Sequence, residues 1–438
     1  MTTKGEDCMK TKEALAQGTG SSVVVNSCQV CDSDKLESAL FLGYLPPVNT
    51  MPEIGKRPKE EAGYPAEMLY CHNCTLAQLG LIVDPNILFP PEYPYSSGTT
   101  KILRENFKEL YDECSQIVPL KSDHLIIDIG SNDGTLLSNF KTPGHRVHGI
   151  EPTLMARKAI DAGIPTDEAF FNTETAERVG KAVGKARIIT ATNVFAHIEN
   201  IHSIVEGILE LLDDDGVFIS ESHYLLGLIE TLQYDTIYHE HLRYYSLSSI
   251  THLLNRHGLE VIHAKRIPTH GGSIRVYAAR KGTHPVRPSV KEIQEQEANS
   301  GLGTKLLKDF KKRVVLSKLH LNSVLLDIKK QGHRIFGVGA PSRASTLINY
   351  VGLDDGILDC VVEVKTSHKV GKYMPGTTIP VRDEACLFEE QPEYALLLSW
   401  HIQDELIHNL TKKGFKGKYI VPLPEPRIVG SDGKTISD

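Results

Sequence analysis

The sequence predicts an α/β protein in three folded parts: an N-terminal zinc-binding domain, a central Rossmann-like sheet and a second Rossmann-like domain at the C-terminus. Three observations carry this expectation. Two Cys-x-x-Cys pairs, Cys28/Cys31 and Cys71/Cys74, stand near the start. From about residue 96 to 280, helical and strand patterns alternate, as in a parallel sheet covered on both faces. A second alternation opens with the apolar run at Arg334–Val338. At 438 residues the chain suits two or three domains of about 100–200 residues each.

The expected parts run in order. Residues 1–26 are polar and read as a poorly ordered tail. Residues 27–95 hold both cysteine pairs, about 40 residues apart, which suits a tetrahedral zinc site with four thiolate ligands. Sulfur at all four positions closes the metal to water, so its role is structural. His72 and His270 are further candidate ligands that the spacing does not require. Residues 96–285 form the central sheet domain, 286–330 a helical linker (one helix or a pair), and 331–438 the last domain.

The central domain begins with IDIGSNDGTLL (Ile127–Leu137). An apolar strand ends at Asp128, and Gly130 and Gly134 bracket a tight turn into a helix. Glycine there lets backbone approach a nucleotide closely. A second short strand, Val147–Ile150, leads to Glu151, placed to hold a ribose diol by two hydrogen bonds. Acids at the turn (Asp128, Asp133) fit a cofactor without phosphate, which points to S-adenosylmethionine rather than NAD. The expected contacts are Asp128, Gly130, Ser131, Asn132, Asp133, Gly134, Glu151, Pro152 and Asn193.

The densest group of ionisable side chains is Tyr238-His239-Glu240-His241. An imidazole with an ordinary pKa near 6.5 accepts a proton at neutral pH; Glu240 is expected to orient it and Tyr238 to donate to an oxyanion. His197 follows the strand at Ile188–Thr192 and is expected near the methyl acceptor. Tyr93 and Tyr95 either close over the substrate or pack the domain junction. In the turn THGGSIRVY, His270, Gly271, Gly272 and Arg275 are candidate phosphate or carboxylate contacts. In GVGAPSRAS, Gly339, Ala340, Pro341, Ser342 and Arg343 suit a pyrophosphate at a helix start.

Composition narrows the function classes. A net charge of −7 argues against a large nucleic-acid footprint, and no apolar run nears the roughly 20 residues that cross a bilayer. The expectation is a cytoplasmic enzyme, monomeric or weakly homo-oligomeric, with no nucleic-acid or membrane partner. A zinc-knuckle RNA methyltransferase is the competing reading; the acidic balance counts against it.

The paired knuckles, DIGSNDGTLL, GIEP, TNVFAHI, YHEHLRYYS, THGGSIRVY and GVGAPSRASTLINY together resemble the S-adenosylmethionine-dependent C-methyltransferases that act on nucleotide-linked 4-keto deoxysugars. The resemblance covers nearly the whole chain beyond residue 26. It implies a sugar nucleotide bound between domains, with Tyr238, Glu240, His241 and His197 at the active site, joined by Tyr93 or Tyr95. It also implies the reaction: loss of the C-3 proton beside the C-4 ketone, with His241 or, alternatively, Tyr238 as base, then methylation of the enolate.

Overall fold

The computed structural model describes residues 21–56, 60–89, 98 and 100–436. The expected site residues Tyr93 and Tyr95 lie outside the described residues. The N-terminal part contains β1 (Ser22–Val24), β2 (Leu36–Leu45), β3 (Tyr64–Cys71), β4 (Ala77–Leu79) and β5 (Leu81–Val83). Strand β1 pairs antiparallel with β5, setting Val23 against Ile82. That corrects the 1–26 boundary: the apolar run from Val23 to Val25 lies within the expected tail, and its first two residues belong to the fold.

The central sheet contains β6 (Leu125–Ile129), β7 (Arg146–Ile150), β8 (Thr166–Asp167), β9 (Ala186–Thr192) and β10 (Leu212–His223). A short β11 (Arg243–Tyr244) leaves this sheet, and β12 (Leu259–Ile267) and β13 (Ser273–Arg280) complete it. The order is β12-β13-β10-β9-β6-β7-β8, parallel throughout except for the reversed β13. All five residues of β6 are buried, because both faces are covered and an apolar run costs nothing there. The strand order reverses between β6 and β9, so the crevice at their carboxyl ends is the natural ligand position.

Arg275 on β13 lies opposite Glu221 on β10 and is fully buried. Its guanidinium donates to Glu221 (2.7 Å), Glu109 (2.5 Å), Glu113 (2.8 Å) and the Asn106 side chain (3.0 Å). These bonds replace the water that burial removes. The expected phosphate contact for Arg275 is therefore corrected: its donors are spent on the scaffold.

The linker is more than a spacer. It forms two helices, Pro288–Ser300 and Thr304–Lys330. Buried Glu297 on the first accepts from the backbone of Leu247 (2.5 Å) and Ser248 (3.1 Å), at the positive end of helix Leu247–Arg256. The second helix buries Phe310, Val314, Leu321 and Leu325 in one core with Leu40 and Met68 of the N-terminal sheet and Phe336 and Leu347 of the last domain.

The C-terminal sheet contains β14 (Ile335–Val338), β15 (Cys360–Glu363), β16 (Val381–Asp383), β17 (Tyr394–Leu397), β18 (Lys418–Val421) and β19 (Arg427–Val429). Its order, β16-β15-β14-β17-β18-β19, is parallel but for β19. Its switch point lies between β14 and β17. Gly339 closes β14 at φ +81, and a Cβ there would stand 2.6 Å from the Ser399 hydroxyl.

Arg275→Met should lower stability by about 3–5 kcal/mol, since fully buried Glu221 loses its cation. Urea unfolding checks this. An unchanged midpoint with a raised substrate KM would return Arg275 to the binding site.

Candidate active site

The four cysteine sulfurs of Cys28, Cys31, Cys71 and Cys74 all lie within 4.8 Å of one another. Cys28 and Cys74 are 3.4 Å apart and Cys31 and Cys71 3.5 Å, near the roughly 3.8 Å edge of a tetrahedron with metal–sulfur bonds of about 2.3 Å. The set fits zinc. His72 is turned away, bonded to Glu37 at 2.9 Å, and His270 lies in the histidine cluster described below. The knuckle is tied to the central domain, because the Thr75 and Ser246 hydroxyls share a 2.8 Å hydrogen bond.

At the β6–β9 crevice, Gly130 has φ +70, and a Cβ there would meet the Val194 side chain at 2.4 Å. Asp128 accepts from the Thr190 hydroxyl at 2.7 Å. Burial pushes its carboxyl up to about 8, with the nearby Glu151 and Glu221 adding repulsion. Asn132 donates its backbone N–H to Glu151 Oε2 (3.0 Å), while Thr153 donates N–H (2.9 Å) and hydroxyl (2.6 Å) to Glu151 Oε1. Oε1 is thus filled, which leaves lone-pair capacity on Oε2 for one ribose hydroxyl rather than the expected two hydrogen bonds. Asp133 accepts from Gly98 N–H (2.9 Å) and the Thr135 hydroxyl (2.6 Å). Gly134 caps the following helix. Among the described residues, Ser131 Oγ and Asn193 Oδ1 are buried without a hydrogen-bond partner.

The Tyr238–His241 loop precedes β11, which adds to β4 of the N-terminal sheet. Its side chains diverge. His239 turns toward the N-terminal part, its Nε2 at 3.2 Å from the Pro65 carbonyl. Glu240 accepts from Asn49 Nδ2 at 2.6 Å. His241 turns inward, and its Nδ1 is 2.8 Å from the Thr236 carbonyl. A carbonyl only accepts, so Nδ1 carries the proton and Nε2 bears the lone pair. The expectation that Glu240 orients this ring is corrected: a backbone carbonyl does so.

Four imidazoles and a phenol converge. From the His241 ring centre, Tyr238 is 4.1 Å away, His223 4.6 Å and His197 5.0 Å; His270 is 5.7 Å from His223. Burial holds His197 and His270 at about 4. It also holds His223 and His241 well below their usual value, helped by neighbouring imidazoles and the Arg343 charge. All four are neutral at pH 7. His223 was not among the expected residues. Its place as the last residue of β10, level with the strand ends that build the crevice, is the signal that could have found it.

The C-terminal loop is less open than expected. Gly339 N–H donates to the Val362 carbonyl (3.0 Å), Ala340 N–H to Glu363 (2.9 Å), and Pro341 has no N–H. Arg343 grips Asp235 through two bonds of 2.7 and 2.8 Å. The expected pyrophosphate contacts through Ala340 and Arg343 are therefore corrected, their donors being already engaged; half-buried Ser342 remains beside them. Gly271 and Gly272 pack their backbone against Gln233 and Tyr224, accepting at 2.5 and 3.3 Å.

Family models match the chain in three consecutive segments. Residues 28–89 match a family described as "Putative zinc binding domain", 101–264 a methyltransferase domain, and 268–424 a C-methyltransferase C-terminal domain. The C-methyltransferase NovU of Streptomyces niveus is 32% identical over 418 residues, covering 93% of this chain and 98% of that protein. Among solved structures, magnesium protoporphyrin IX methyltransferase from Synechocystis with bound SAM is 14% identical, with a TM-score of 0.31, over 41% of this chain and 78% of that one. The CcbJ methyltransferase from Streptomyces caelestis is 13% identical, with a TM-score of 0.33, over 43% and 93%.

The histidine cluster dictates a pH response. Its folded values lie below the 6.5 of an unfolded chain, so on acidification the unfolded state binds protons first. The stability these groups contribute is full above about pH 6.5 and drains between about 6.5 and 4. Thermal midpoints measured across that range should fall, and less steeply in His270→Gln. Equal slopes for the two proteins would contradict the burial of a neutral ring.

Proposed function

The chain belongs to the C-methyltransferase family, and from that premise we propose that it methylates C-3 of a nucleotide-linked 4-keto deoxysugar in an S-adenosylmethionine-dependent reaction. The observation that carries the reading is the His241 ring, neutral, fixed in one tautomer and turned with Nε2 away from its anchoring carbonyl, among groups able to donate to an oxygen.

S-adenosylmethionine, when bound, supplies an electrophilic methyl group. The β6–β9 crevice suits it. Glu151 keeps lone-pair capacity on Oε2 for a ribose hydroxyl, and the buried Ser131 and Asn193 oxygens, which have no hydrogen-bond partner among the described residues, can take up a cofactor's polar groups.

The rest of the chemistry belongs to side chains. His241 Nε2 takes the proton from the carbon beside the ketone, and the electron pair moves into an enolate whose oxygen is the former C-4 carbonyl. Tyr238 donates to that oxygen, with His197 beside it as a second donor. A low-dielectric site strengthens each of these bonds. The Nδ1 bond to Thr236 keeps the ring in place as it becomes cationic. The substrate lies between the histidine cluster and the C-terminal switch point. A reducing cytoplasm is the compartment in which four free thiols remain available to zinc.

The test separates the base from the rest. In deuterated buffer, the protein and a 4-keto-6-deoxy nucleotide sugar should exchange the C-3 hydrogen. His241→Asn should slow exchange and turnover by about 10²–10⁴-fold, with S-adenosylmethionine affinity near that of the parent by calorimetry. Retained exchange in that variant would show that the proton goes elsewhere.

A further inference from the structure

We propose that Asp235, clamped by Arg343 and Trp400 of the C-terminal domain, is a positioning residue for His241, acting through the adjacent Thr236 carbonyl. The inference rests on the reading of His241 as the base.

Asp235 is fully buried. Both its oxygens are used: Oδ1 accepts from Arg343 Nη2 at 2.7 Å, and Oδ2 accepts from Arg343 Nε at 2.8 Å and from Trp400 Nε1 at 2.7 Å. The Arg343 guanidinium also lies 4.8 Å over the Trp400 ring. Arg343 follows the loop after β14, and Trp400 follows β17, so the two donors flank the C-terminal switch point. Gln233 extends the clamp, accepting from Arg343 at 3.2 Å and donating to the Gly271 carbonyl at 2.5 Å.

One residue beyond Asp235, Thr236 is pinned by its N–H (3.1 Å) and hydroxyl (2.8 Å) to the Gln233 carbonyl. Its own carbonyl receives the His241 Nδ1–H and the Tyr244 hydroxyl, the latter at 3.1 Å. Taking a bidentate ion pair out of water carries a large desolvation penalty, so such a pair is a poor device for stability alone. Here it fixes the orientation of one peptide. If that carbonyl turned, Nδ1–H would lose its acceptor, the ring would sample both tautomers, and Nε2 would be a base only part of the time. The C-terminal domain thereby holds the base of the neighbouring domain.

The experiment uses the full-length zinc-loaded protein and Asp235→Asn, with Trp400→Phe as a milder second variant that keeps the ion pair. The His241 ring nitrogens are assigned in ¹⁵N-histidine spectra by their loss in His241→Gln. In the parent they should show one tautomer, with the proton on Nδ1. In Asp235→Asn they should average between tautomers, with kcat down about 10²-fold and S-adenosylmethionine affinity unchanged; Trp400→Phe should move the same way by less. An unaltered His241 signature in both variants overturns the proposal, as does a shifted signature with full kcat where His241→Gln is inactive. If His241→Gln is itself active, the reading of the base has failed, and the tautomer shift alone decides whether the clamp sets the ring.

Discussion

The Thr236 carbonyl is the point on which the rest of the site depends. A neutral imidazole has one protonated and one bare nitrogen, and which is which follows from what the ring touches. Here the bond from Nδ1–H to that carbonyl makes Nε2 the basic atom. Burial then matters in a second way. Depressed basicity means the ring is rarely charged before substrate arrives, and a proton taken from carbon raises a charge in a site with little water to share it. Tyr238 and His197 pack within 4.1 and 5.0 Å of the ring, where the proposed reaction needs donors to the enolate oxygen.

Such burial requires all three domains. The N-terminal sheet takes β11 as its edge strand and supplies Asn49 to Glu240 and the Pro65 carbonyl to His239. The zinc centre sits at the end of that sheet, where Cys71 ends β3 and Cys74 opens the way to β4, so the metal fixes the strand on which the YHEH loop is laid. The C-terminal domain closes the other side through Arg343 and Trp400. The long helix Thr304–Lys330 runs through the core common to both outer parts.

Much of this was legible in the sequence, for identifiable reasons. Strands such as Leu125–Ile129 and Ile335–Val338 are short apolar runs bounded by glycine turns, and the parallel sheets follow from their alternation with helices. The cysteine spacing foretold the thiolate cluster because two ligands per turn leave few other geometries. Partner choice was less legible. Arg275 and Arg343 closely follow glycine-rich turns that look open to anions, yet Glu221 and Asp235 reach them from a strand and a loop remote in sequence. Glu240 is adjacent to His241, but the two lie in a turn closed by the His241 N–H to Tyr238 carbonyl bond, which sends Glu240 to Asn49 and His241 to the Thr236 carbonyl, so the neighbour in sequence is not the neighbour in space. His223 carries no motif of its own and emerges only when β10 is laid beside β9.

The most direct test of the account is the position of the transferred methyl group. The protein, a 4-keto-6-deoxy nucleotide sugar and S-adenosylmethionine labelled with ¹³C in its methyl group should give a product whose labelled carbon couples to a sugar carbon in ¹³C spectra. A label bonded to oxygen, or no transfer to any member of a panel of such sugars, would contradict the carbon-acid chemistry assigned to His241.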